Sequence, residues 1–119
     1  MADYAKINLA EDRIDIWFYN ENAKPLAIGE KMYGLNENAY MNGYNWDALF
    51  NYYLAKHMPS LLEGLDTDPE AGSYAAYYPR TPENEEKAQA FLEMIIDLIE
   101  NEDKLYRLVQ DEGDEIEWD

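Results

Sequence analysis

Two segments near the start of the chain, YAKINL (Tyr4–Leu9) and RIDIWFY (Arg13–Tyr19), alternate apolar and polar positions and are rich in β-branched and aromatic residues. A period of two predicts strands, and the short AEDR between them predicts an antiparallel hairpin. In the second strand Ile14, Ile16 and Phe18 share one face, expected to meet the core, while Asp15, Trp17 and Tyr19 share the other. Asn20 to Lys24 has turn chemistry. PLAIGEKMYG then reads as a third, irregular strand, interrupted by Pro25 and flanked by Gly29 and Gly34.

From Trp46 the period changes. Trp46, Leu49, Phe50, Tyr53, Leu54 and His57 fall at helical spacing on one face. Asn42–Gly43 suits a tight turn with positive φ. Asn45 is placed to cap the helix, and Asp47 and Lys56 suit its dipole. Pro59 ends it, and SLLEGL continues as a short helical turn. Most aromatics of this stretch are thereby expected in a buried stripe, and Asn42–Trp46 reads as a structural turn rather than a binding motif.

Beyond a polar loop, DTDPEAG, the segment SYAAYYP (Ser73–Pro79) predicts a strand with Tyr74, Ala76 and Tyr78 on one side and Ala75 and Tyr77 on the other. Thr81 caps a long helix with Pro82 in its first position and Glu83, Glu85 and Glu86 in its first turns. Its apolar stripe is Ala88, Phe91, Leu92, Ile95, Leu98 and Ile99, and NEDK separates it from a last short helix anchored by Leu105, Leu108 and Val109. The tail DEGDEIEWD is expected to fray over 110–119, with Ile116 and Trp118 as its only anchors. The order β-β-(β)-α-β-α-α predicts an α+β fold, a small and mainly antiparallel sheet with helices packed on one face. At 119 residues the whole chain, 1–119, is expected to be a single domain.

Charge changes the picture more than composition does. The chain carries 26 acidic and 9 basic residues, a net charge of −17, yet is 47% hydrophobic, which excludes disorder. Residues 1–59 hold a net −3 and residues 60–119 a net −14. Such an excess disfavours direct binding to nucleic acid or to an anionic membrane, and a basic protein is its natural complement. No secretory signal or membrane span is visible, so a cytoplasmic location is expected.

Candidate chemistry is sparse. Cysteine is absent, so no disulfide, thiolate nucleophile or thiolate metal site can form. His57 is the only histidine, best placed to close its helix, and Ser60, Thr67, Ser73 and Thr81 lie in no nucleophile elbow. Asp66/Asp68 and Asp111/Asp114 depart from the twelve-residue Ca²⁺ loop. No catalytic residue, cofactor or metal is expected, and the chain reads as a non-enzyme.

NGYNW, the stretch MPSLLEGLDTDPEAGSYAAYY and the ending LIENEDKLYRLV together resemble the immunity protein 51 family of bacterial polymorphic toxin systems. The positions carrying the resemblance are Asn42, Gly43, Tyr44, Asn45 and Trp46, then Asp68, Pro69 and Glu70, then Glu102, Asp103 and Leu105. It spans Asn42 to Val109; residues before Asn36 match only in general strand character. The resemblance implies an α+β protein that binds and neutralises a cognate toxin domain. Acidity then points to a basic toxin such as a nuclease. An acidic nucleic-acid mimic that inhibits a DNA- or RNA-binding protein fits the same charge.

For the partner, the expected contacts are the outward carboxylates Glu93 and Asp97 of the long helix, the loop residues Asp66, Asp68 and Glu70, and two aromatic anchors, Tyr52 and Tyr77. The carboxylates would steer association and the aromatics would hold the partner.

Overall fold

The structure, a computed structural model, describes residues 3–118. Strands β1 (Ala5–Leu9) and β2 (Arg13–Phe18) form the expected hairpin, pairing antiparallel with Ile7 opposite Ile16. The Ala10 N–H closes its turn on the Arg13 carbonyl at 2.9 Å. β3 (Asp66–Thr67) and β4 (Tyr74–Pro79) complete a four-stranded antiparallel sheet in the order β1-β2-β4-β3. Alternation sorts its faces as the sequence implies. Ile14, Ile16, Phe18, Tyr74, Ala76 and Tyr78 are fully buried under the helices.

The helices are α1 (Ala23–Leu35), α2 (Gly43–His57), α3 (Pro82–Glu100) and α4 (Glu102–Glu112), with 3₁₀ turns at Pro59–Leu62 and Gly113–Glu115. The α+β class and the helices on one sheet face hold. The third strand does not: PLAIGEKMYG lies inside α1. Pro25 sits in the first turn of that helix, where a missing N–H forfeits no intrahelical bond. The buried residues Pro25, Ile28, Gly29 and Met32 follow the helical spacing i, i+3, i+4, i+7.

The start of α2 also differs in detail. Asn42, not Asn45, is the cap, its side chain accepting from the Asn45 N–H at 2.9 Å. Gly43 is already helical, and the positive φ belongs to Met41, at 55°. Gly43 is required by close approach instead: a Cβ there would lie 1.7 Å from the Glu70 carbonyl oxygen and 2.5 Å from that of Ser73. Its N–H donates to the Ala71 carbonyl at 3.0 Å, docking the helix end onto the β3–β4 loop.

Phe50 stands at the centre of the core, its ring within about 6 Å of four others: Phe18 at 5.5 Å, Trp46 at 5.6 Å, Tyr74 at 5.1 Å and Phe91 at 6.1 Å. Most of these contacts are edge-to-face, the geometry favoured by ring quadrupoles. Capping of α3 by Thr81, which accepts from Asn84 N–H at 3.0 Å, follows the sequence reading. The tail is held where fraying was expected. α4 runs to Glu112, Ile116 is buried, and the Trp118 indole N–H donates to the Gly113 carbonyl at 2.9 Å. Apolar contact and a satisfied indole offset the repulsion among its carboxylates.

Candidate partner-binding surface

Most basic side chains are engaged within the molecule. Among the described residues seven of the nine, namely Arg13, Lys24, Lys31, Lys56, Arg80, Lys87 and Lys104, lie against carboxylates of the same chain. Exposed pairs of this kind contribute little stability each. Their consequence is electrostatic: the positive charge is locally neutralised, and the surplus carboxylates set the outward field. Among the described residues no cluster of three or more His, Asp or Glu is arranged to hold a metal ion.

The residues expected to meet the partner fall into three regions. Asp66 and Tyr77 are register partners on neighbouring strands, on the sheet face away from the helices. The Arg13 guanidinium lies 4.8 Å from the Tyr77 ring centre and pairs with Asp15 at 3.0 Å, so Tyr77 is half-covered. Asp68 and Glu70 follow in the adjoining loop, both exposed, with their N–H groups bonded to the Ala75 and Ser73 carbonyls. That loop is fixed by its backbone while its carboxylates stay in water.

Glu93 and Asp97 project from α3 opposite its buried stripe, hence on the other side of the molecule from Asp66 and Tyr77. Asp97 is partly engaged, accepting from Lys104 at 2.6 Å and from the Asn101 amide at 2.8 Å. Tyr52 occupies a third region. It is half-buried, and its hydroxyl donates to Glu112, which Lys56 also contacts. The bond to Glu112 raises the Tyr52 pKa, and the contacts from Lys56 and then Tyr52 lower that of Glu112. Tyr52 is thus tied to α4 through its hydroxyl, with part of its ring left at the surface.

Two surfaces escape the sequence reading. On the open sheet face Trp17 and Tyr19 stack at 6.3 Å with rings nearly parallel, and Lys6 lies 5.7 Å from the Tyr19 ring centre. The other is a groove of about 210 Å³ between α1 and the link into α2, lined by Leu26, Gly29, Glu30, Tyr33, Tyr40 and Met41. Tyr33 and Tyr40 stack along it at 5.5 Å, and Tyr40 is 70% exposed. The helical spacing of Leu26, Glu30 and Tyr33 was the available signal, obscured by reading that segment as a strand.

A family model described as immunity protein 51 matches residues 6–114. No curated protein and no solved structure matches the chain.

Proposed function

The chain belongs to the immunity protein 51 family, and from that premise we propose that it binds and neutralises a cognate bacterial toxin domain, protecting the cell that makes both. The finer reading is that the toxin is basic and handles phosphate, as a nuclease does. One observation carries it: a net charge of −17 in which most bases are already paired within the chain. An active site that binds a polyanion must be electropositive, so a protein that covers it gains from presenting carboxylates with few competing cations.

Neutralisation on this reading is stoichiometric binding without turnover, in the cytoplasm of the producing cell. Its only histidine, His57, packs its ring 4.5 Å from that of Tyr53 at the end of α2. No described helix is long and apolar enough to cross a membrane. The test is co-expression with the neighbouring reading frame in a host that this frame alone kills. Growth should be restored by the wild-type chain and by His57→Ala alike, and the two products should co-purify one to one. Failure to rescue, or rescue that depends on His57, would overturn the reading.

A further inference from the structure

We infer that the groove between α1 and the link into α2 receives an arginine side chain of the toxin, its guanidinium laid against the open face of the Tyr33–Tyr40 stack and paired with Glu30. The inference rests on the toxin-binding reading above and assigns that partner a place on the surface.

Helix α1 sorts its charges onto two flanks. Pro25, Ile28, Gly29 and Met32 face the core. Lys24 and Lys31, one turn-pair apart on one flank, are drawn to Glu100 and Glu102 at 3.0 and 3.8 Å. The other flank carries Leu26, Glu30 and Tyr33, which line the groove. Both bases of the helix are therefore engaged away from it. Glu30 is left as the charged residue of the lining, exposed and without an ion pair among the described residues.

Several tyrosine rings already hold a cation of the same chain. Tyr19, Tyr77, Tyr106 and Tyr52 each have a Lys or Arg of the same chain within 6 Å of the ring centre. Tyr33 and Tyr40 are in none of these pairs, although they are among the exposed large hydrophobic side chains, at 49% and 70%. Stacked rings beside a carboxylate offer what a planar guanidinium uses: a π face, an anion and an apolar wall for its methylenes. Leu26 and Met41 supply that wall.

The floor of the groove is preformed. Met41 adopts the left-handed region at φ 55°, and its N–H is held by the buried Asn45 side chain at 2.9 Å. A Cβ on Gly29 would come within 3.0 Å of the Met41 Cβ, so the absence of a side chain there lets the link lie directly on α1. A rigid floor spares the ordering cost of binding, and tyrosine anchors lose little rotamer freedom. A second copy of the chain is a poor occupant, because each copy carries −17 and the faces would repel.

The experiment measures binding of the toxin domain from the neighbouring reading frame, made as a catalytically inactive form. Tyr40→Ala and Glu30→Lys should each weaken binding at least tenfold, chiefly through faster dissociation, whereas Tyr40→Phe, which keeps the ring, should stay within about threefold. Melting temperatures should be unchanged, since both side chains are exposed. Scanning the toxin's arginines to alanine should find one whose loss is not additive with Tyr40→Ala. The proposal is overturned if Tyr40→Ala and Glu30→Lys bind within twofold of wild type, or if Trp17→Ala on the open sheet face is the variant that weakens binding. It is also overturned if the chain alone dimerises and Tyr40→Ala makes it monomeric. A wild-type chain that does not bind the toxin domain at all refutes the functional reading itself, an outcome distinct from these.

Discussion

The side-chain amide of Asn45 donates to the backbone carbonyl of Trp118 at 3.1 Å, joining the first turn of α2 to the last described residues across the sequence. The same side chain accepts from the Met41 N–H, so one buried residue, 1% exposed, ties the α1–α2 link, the helix start and the tail. Asn45→Ala should cost about 2–3 kcal/mol, because it orphans a donor and an acceptor together. Chemical denaturation would measure the loss, and Asn45→Asp, which keeps only the acceptor, should recover part of it.

Gly43 is the sharper case. Its neighbours in the β3–β4 loop are backbone carbonyls, which cannot swing aside as a flexible side chain would. Gly43→Ala should therefore separate α2 from the loop and cost about 3 kcal/mol or more. An alanine variant that melts like wild type would show that the loop yields more easily than its hydrogen bonds imply.

Trp46 is fully buried, with its ring 4.9 Å from Phe18. Emptying such a site costs about 3–5 kcal/mol, so Trp46→Ala should leave a protein folded only marginally at physiological temperature. Thermal melting followed by circular dichroism is sufficient to check it.

These three positions show what the sequence carries and what it hides. Trp46 follows from period alone, since a 3.6-residue stripe needs no knowledge of what it packs against. Ile14, Ile16 and Phe18 follow from alternation in the same way. α1 was hidden because Pro25 and two glycines argue locally against a helix, while only tertiary contact reveals that Pro25 occupies a first turn and Gly29 faces Met41. The cap moved from Asn45 to Asn42 for a similar reason. Both side chains suit a cap, and only the depth of Asn45 in the structure decides between them. Outward placement of Glu93 and Asp97 was legible from the α3 stripe. The meeting of Tyr33 with Tyr40 was not, because it depends on the path of a link whose one left-handed residue is a methionine.

Tyr78 makes the fold sensitive to alkali. Its hydroxyl donates to the Leu61 carbonyl at 2.6 Å, and burial pushes its pKa from 10.0 up to about 12. A phenol whose pKa is higher in the folded state stabilises that state below the unfolded value and loses the contribution as pH rises through the folded one. Stability should accordingly fall between pH 10 and about 12, with late tyrosinate absorbance appearing together with unfolding. Tyr78→Phe should cost about 1–2 kcal/mol at neutral pH, through the unpaired Leu61 carbonyl, and should reduce the slope of that alkaline fall. Tyr74, whose pKa burial also raises, keeps its own share of the slope.

The acidic outer side of α3 invites a kinetic prediction that separates steering from anchoring. Glu93 and Asp97 face water opposite the buried stripe, far from Tyr77 and the open sheet face. If the toxin is basic, these carboxylates draw it in from a distance without needing to touch it, and their effect falls within a Debye length as salt is added. Reversing both to lysine changes the net charge from −17 to −13, two units at each site. Association at low salt should slow by roughly 3- to 10-fold and its salt dependence should flatten, while dissociation stays nearly constant. Asp97→Lys also breaks the contact with Lys104, but a pair that exposed contributes little, so the fold should tolerate the change. Stopped-flow association across a salt series reads this directly, and it contrasts with Tyr40→Ala, whose effect should appear in dissociation. Were association to prove insensitive to both salt and reversal, the acidic side of α3 would serve solubility alone, and recognition would depend on contact surfaces rather than on the field around them.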